Sequence, residues 1–250
     1  WRVAGYAQAV DCALTILPWE PAWFERHGVH AAHVGHPLLD ALTDVAVTRP
    51  SADSRDLVIL PGSRGSVIDR NLPWMLAATA QAELPEGARV VILQEGREHE
   101  ERVRAHIAAS NVAADVRFGD LHTALAEARA ALTSSGTILI DLLHHRLPAV
   151  VIYRVERLTR LMRPLLSLPH FSSVNLLAGR EVLPEFGFHG EGPLEEVGRV
   201  LGQCYNDDAW REHCIAGLDQ AAARLGPPGA ALRAARHALS LAARKACPPS

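Results

Sequence analysis

The chain has 250 residues, 48% of them hydrophobic, enough to bury one large core or one domain with part of a second. Its 25 basic and 28 acidic residues leave a net charge of −3, with none of the polybasic footprint that binding to a nucleic-acid backbone needs. Four scattered cysteines, Cys12, Cys204, Cys214 and Cys247, form no CxxC pair, which excludes a disulfide framework or zinc knuckle and fits a reducing, cytoplasmic setting. No run approaches the roughly 18 to 20 apolar residues of a membrane span, and the first residues are not built like a signal peptide.

In chain order, residues 12–18 read as a short strand stopped by Pro18, and residues 20–27 as a helix ended by Gly28. Ala31 to Val34 is a further apolar piece, and Leu38 to Leu42 a helical turn. Trp1 begins in what reads as the end of a helix, so further residues are expected upstream. Residues 45–55 are rich in loop formers and mark a boundary near position 50. A regular pattern follows. Strands are expected at 56–60, 89–93, around Val116 and Phe118, and at 130–133 and 149–153, with helices at 68–83, 98–110, 121–129 and 137–146 between them. Such alternation implies a parallel sheet covered on both faces. Three helices, 194–206, 208–225 and 229–246, close the chain.

Ligands of an open parallel sheet bind beyond the carboxyl ends of its strands, so the loops there carry the chemistry. The first, Leu60-Pro61-Gly62-Ser63-Arg64-Gly65-Ser66, follows a strand and opens a helix: its glycines admit close backbone approach, the helix start offers unpaired N–H groups, and Arg64 adds a planar fork for phosphate or carboxylate. An ordinary turn with a solvated arginine fits the local pattern equally well. The second, Thr133-Ser134-Ser135-Gly136-Thr137, precedes the helix that contains Asp141 and could receive a diphosphate, although Ser135 and Thr137 are also ordinary helix caps. In the third, Val174 to Glu181, polar residues interrupt an apolar stretch and no turn type explains the whole. It reads as a loop whose Asn175 and Arg180 either cap neighbouring helices or meet a ligand.

The ordered strings ILPWEPAWFERHG, VGHPLLD, LPGSRG, SSGT, VIYRV and NLLAGRE resemble the successive signatures of lipid-A-disaccharide synthases, from the first residues to about Glu185. The resemblance implies an α/β fold of two Rossmann-like domains (GT-B type). Residues 1–50 would be the end of the amino-terminal acceptor domain, 51–228 a complete UDP-sugar-binding domain, and 229–250 a helix crossing back to the first. It implies a cofactor-independent hexosyltransferase of lipid A biosynthesis, with a UDP-sugar donor and an acylated glucosamine phosphate acceptor. Gly62, Ser63, Arg64, Ser135, Gly136, Thr137, Asp141, Asn175, Arg180 and Glu181 would form the donor site. The general base is expected in the amino-terminal part, and residues 1–250 alone would hold UDP without catalysing transfer. The sequence departs from the family pattern at Val67, where a glutamate is usual, at Asp141, one methylene shorter than the family's glutamate, and at Val174 and Gly187. Another UDP-sugar transferase or epimerase, or a non-catalytic UDP-sugar-binding module, remains as an alternative.

His27, His30, His33 and His36 recur every third residue, but Gly28 and Gly35-His36-Pro37 break the run, so no metal is expected. Residues 154–171 interleave Arg157, Arg160 and Arg163 with leucines, the composition of an interfacial helix on anionic lipid or, equally, of a helix packed on the sheet with solvated arginines. Lipid substrates would favour a peripheral location on the inner face of the inner membrane.

Overall fold

The computed structural model describes residues 2–154 and 170–246. It divides into two compact units, one made of the residues up to Ala46 together with those from Ala222 onward, the other Val47–Ala221.

In the first unit, helix α1 (Arg2–Ala9), strand β1 (Ala13–Thr15), helix α2 (Glu20–Arg26), strand β2 (Ala31–His33) and helix α3 (Leu38–Ala41) follow one another. Strands β1 and β2 pair in parallel over a small core of Ala13, Val29 and Ala31, with Phe24 packed on it. The expected strand 12–18 is therefore only three residues long. Its extension is prevented at Ile16 and Leu17, whose N–H groups are taken by the Glu20 carboxylate at 3.1 and 2.8 Å. The last helix, Ala230–Ala246, starts on Asp40. That carboxylate accepts the N–H groups of Gly229, Ala230 and Ala231 at 2.5, 3.0 and 2.8 Å, donors a helix start otherwise leaves unpaired. These hydrogen bonds, the one from Ala231 foremost, hold the Asp40 carboxyl below the usual carboxylate range.

The second unit contains strands β3 (Asp56–Leu60), β4 (Arg89–Gln94), β5 (Ala114–Phe118), β6 (Ala128–Ser134), β7 (Ala149–Arg154) and β8 (Glu185–Phe188), all parallel, in the order β5-β4-β3-β6-β7-β8. Helices α4 (Gly65–Ala80), α5 (Glu100–Ala108), α6 (Leu121–Glu127), α7 (Ile138–His144), α8 (Ser173–Ala178) and α9 (Leu194–Asn206) connect or follow them, and α10 (Asp208–Leu225) runs on past Ala221 to precede α11 (Ala230–Ala246). Leu57, Ile59, Ile92, Leu132, Val150 and Ile152 share one core with Leu72 and Leu76 of α4 and Val197 and Leu201 of α9. The alternate residues Val58, Val91, Ala131 and Val151 are equally buried on the other face, as the strand period of two requires. Burial on both faces is why these strands read as unbroken apolar runs. Helix α9 reaches α4 through glycine: a Cβ on Gly198 would lie 2.8 Å from the carbonyl oxygen of Ala78, so only glycine allows the backbones this close.

Two elements differ from expectation. The stretch containing Val174 is not a loop but helix α8, started by Ser172, whose hydroxyl accepts the N–H of Asn175 at 3.4 Å, and ended by Gly179 at φ +67°. Strand β8 was not expected at all. Its sequence Glu-Phe-Gly-Phe carries a charge and a glycine, tolerable because β8 is the edge of the sheet.

Candidate functional site at the carboxyl edge of the large sheet

The loop between β3 and α4 is fixed from below. Asn71 of α4 donates to the carbonyl of Pro61 at 2.9 Å, and Gln94, the last residue of β4, donates to that of Gly62 at 3.3 Å. Gly62 has φ +116°, a conformation that excludes other residues, and a Cβ there would stand 2.7 Å from Cγ1 of Val67 and 3.7 Å from the hydroxyl of Ser134. Val67, the departure from the family pattern, thus closes the loop by packing on its glycine. Ser63 and Arg64 are exposed, and the Arg64 guanidinium makes no hydrogen bond or ion pair among the described residues.

The neighbouring strand β6 places the second loop beside the first, and the Ser134 hydroxyl joins them by donating to the carbonyl of Leu60 at 3.4 Å. The N–H of Ser135 is committed to Ile152 of β7 at 2.9 Å. Gly136 and Thr137 are exposed, no atom lies within 4 Å of the position a Gly136 Cβ would take, and Thr137 makes no side-chain capping bond to α7. Capping therefore does not account for the Thr137 hydroxyl.

Asp141 stands one turn into α7. Burial raises its carboxyl above the ordinary range, and the neighbouring His122 and His144 pull it back. No hydrogen bond from another described residue reaches that carboxylate. A cation and a carboxylate without a hydrogen-bond partner in another described residue, exposed hydroxyls and an open glycine thus lie on adjoining elements, a set suited to an anionic, hydroxyl-bearing ligand.

The other three nominated residues do not join them. Asn175 is wholly buried, and its amide holds a turn: Oδ1 accepts the N–H groups of Val182 and Leu183 at 2.8 and 2.9 Å, while Nδ2 donates to the carbonyl of Leu183 at 2.7 Å. This corrects the expectation that Asn175 lines the cleft. Arg180 and Glu181 precede β8 and so lie toward the amino-terminal edge of the sheet, opposite the two loops. There Arg180 donates to Gln220 and to the carbonyl of Glu181, both at 3.3 Å. Arg157, Arg160 and Arg163 lie outside the described residues. A separate concavity of about 650 Å³ is lined by Asp69, Arg70 and Trp74 of α4, by Arg154 and by Glu191, and by none of the nominated residues.

Sequence reasoning missed Asn71 and Gln94, whose positions in apolar stretches are their only signal, and a line of three polar groups at the end of α7. There Thr48 Oγ1 lies 2.7 Å from His145 Nδ1, and His145 Nε2 lies 3.1 Å from His122 Nδ1.

A family profile described as lipid-A-disaccharide synthetase matches residues 1–201. The chain belongs to this family. A lipid-A-disaccharide synthase of Myxococcus xanthus is 34% identical over 250 residues, covering 96% of this chain and 65% of the relative. That of Acidobacterium capsulatum is 31% identical, with 92% and 62% covered, and that of Pseudomonas aeruginosa 35% identical, with 74% and 51% covered. The chain thus spans between half and two thirds of the length of these relatives. Among solved structures, the GtfA/B complex is similar at a TM-score of 0.54 and 16% identity, over 96% of this chain and 47% of that one. A structure of S. aureus TarM in complex with UDP is similar at 0.55 and 8%, over 92% and 44%. At these identities the likeness concerns the fold, which is that of GT-B glycosyltransferases, as expected from the sequence.

Proposed function

We propose that the chain is the nucleotide-sugar-binding part of an enzyme that joins UDP-2,3-diacylglucosamine to 2,3-diacylglucosamine 1-phosphate. Family membership supports the substrates, and Arg64, without a partner among the described residues and on the loop next to the open Gly136-Thr137 turn, carries the assignment of the site. In this reading the diphosphate sits between the β3–α4 and β6–α7 loops, and the ribose hydroxyls donate to Asp141. The acceptor's 6-hydroxyl oxygen attacks the anomeric carbon from the face opposite UDP. The bond from that carbon to oxygen forms as the bond to the UDP oxygen breaks, the hydroxyl proton passes to a general base, and the configuration inverts. Arg64 and the first amides of α4 meet the charge on departing UDP, so no divalent cation is called for. Glu20 and Asp40 are held by backbone N–H groups and are poor candidates for the base.

The reading extends to a membrane surface. Among the described residues no helix is long and apolar enough to cross a membrane. Tyr153 and Phe171, on either side of the Arg157 to Arg163 stretch, are exposed and stacked with ring centroids 5.6 Å apart, an amphipathic pair of the kind that sits at lipid interfaces. Location on the inner face of the inner membrane follows from the acylated substrates.

Calorimetry with UDP tests the site. Arg64→Ala should cost about 1.5 to 3 kcal/mol of binding through loss of a charge-assisted hydrogen bond. UDP affinity unaltered by both Arg64→Ala and Thr137→Val would remove these loops from consideration.

A further inference from the structure

The concavity beside α4 has walls that are tied together. From α4, the indole N–H of Trp74 donates to the carbonyl of Glu191 at 2.5 Å, and its ring packs on that of Phe188 with centroids 4.5 Å apart. From the end of β7, the Arg154 guanidinium bridges both walls, donating to the carbonyl of Arg70 and, at 3.1 Å, to that of Gly190. The loop that carries Glu191 turns on Gly190 and Gly192, at φ +70° and +67°, and a Cβ on Gly192 would collide with the Phe188 ring. The space of about 650 Å³ is thus held open by fixed walls, and it has the size that small ligands occupy.

The charge lining it is unbalanced. Arg154 is half-buried and both of its acceptors are neutral carbonyls, so no carboxylate among the described residues pairs with it. Burial, and after it the charge of Arg70, lower its pKa, and a guanidinium nevertheless stays charged. Of the two acids at the rim, Asp69 is taken by Arg102 and, at 2.8 Å, by His106. Glu191 is exposed and keeps a carboxylate that can accept from a hydroxyl group. Two neighbouring cations, one of them partly desolvated, repel each other, and an anion bound between them relieves that repulsion. Pro73 and Trp74 add apolar surface, which a bare inorganic ion would leave uncovered.

We propose that this pocket is a second anion site, which binds the phosphate monoester of an amphipathic ligand. Arg154 and Arg70 meet the phosphate, the body of the ligand lies against Pro73 and Trp74, and a hydroxyl reaches Glu191. The pocket shares the carboxyl edge of the sheet with the nucleotide loops, because Arg154 ends β7. It is nevertheless separate from them: Arg70 lies about 9 Å further along α4 than Arg64 and on another side of it. A phosphate monoester carries about −1.5 to −2 charges near neutral pH, enough to answer both guanidinium groups. Two sources offer that chemistry, a sugar 1-phosphate such as the proposed acceptor contains, and the headgroup of phosphatidic acid at a bilayer surface. The first source rests on the proposed reaction, and the pocket itself does not.

Calorimetry with glucosamine 1-phosphate, and flotation with phosphatidylcholine vesicles with and without phosphatidic acid, separate the two. Binding in the first assay identifies a sugar phosphate, and binding to the phosphatidic acid vesicles alone identifies a headgroup. In either case Arg154→Gln should weaken it about ten- to a hundredfold, as loss of charge-assisted hydrogen bonds requires, and leave UDP affinity unchanged. Because Arg154 also ties the walls, the second variant is Arg70→Gln at an exposed position of α4, which should weaken binding about two- to fivefold in a fully folded chain. A chain that binds the phosphate monoester but not UDP keeps this pocket and loses the nucleotide-loop reading. Phosphate binding that is absent from both assays, retained in full by both variants, or displaced by UDP overturns the inference.

Discussion

Acidification below about pH 6.5 should destabilise the large unit because of His145. Its pKa is 6.5 when the chain is unfolded and about 4 when folded, so between those values the unfolded state binds more protons than the native one. A histidine depressed in this way contributes stability that is complete above the unfolded pKa and is lost as the pH falls from 6.5 toward 4. From pH 7.5 to 5 the proton-binding difference amounts to about 2 kcal/mol, at roughly 1.4 kcal/mol per pH unit once below 6.5. His36 is lowered by burial too, against the opposing charge of Glu20, but it lies in the first unit, whose stability it makes fall as the pH falls. The comparison is therefore with His145→Gln, which keeps an amide in reach of Thr48 and His122 but cannot titrate. Urea unfolding at pH 7.5, 6 and 5 should show the wild type losing about 2 kcal/mol more than the variant. Parallel losses in the two proteins would refute the argument, because His145 would then be either solvated or already charged in the native state.

Two substitutions separate scaffold from site. Asn175→Ala leaves two N–H groups and a carbonyl without their side-chain partner, so stability should fall by roughly 3 kcal/mol or more while the folded fraction binds UDP as before. Weaker UDP binding at unchanged stability would return Asn175 to the ligand. Gly136→Ala should do the opposite: a Cβ there meets nothing within 4 Å and φ is not positive, so stability should stay within about 0.5 kcal/mol while UDP affinity drops because the methyl occupies the approach to the backbone. Equal UDP affinity in calorimetry would show that no ligand comes near Gly136.

The legible part of the fold is the part buried on both faces. Leu57 to Leu60, Val90 to Leu93 and Ala149 to Ile152 are apolar without interruption because each alternate residue meets a helix layer, and such runs mark strands whatever surrounds them. Where one face or one end is open, the signal fades. Strand β8 has Gly187 because the ring of Phe171 lies over it, with Cε2 only 2.9 Å from where a Cβ would stand. The glycine that makes this packing possible also makes the segment read as something other than a strand. Helix α8 has six residues, too few for periodicity to appear, and only its ends, Ser172 and Gly179, announce it.

Legibility of the site divides along the same physical line. The two loops after β3 and β6 were readable because glycine directly after a buried strand has a geometric consequence: the chain must turn at the carboxyl edge, and Gly62 with its positive φ does so. What a polar residue inside an apolar stretch does is less determined, because a ligand and a buried turn make the same demand on it. Asn175 stands among Leu176, Leu177 and Val174, which looks like a polar group reserved for a ligand, yet its two acceptor bonds and one donor bond are what the turn at Val182 and Leu183 needs in order to be buried. Direction along the chain resolves the ambiguity. Ser63, Arg64, Gly136 and Thr137 come after parallel strands and share the carboxyl edge, whereas Arg180 and Glu181 come before one and lie toward the other. For residues of a parallel sheet, whether a motif follows or precedes its strand decides which edge it serves, and chemical character alone does not.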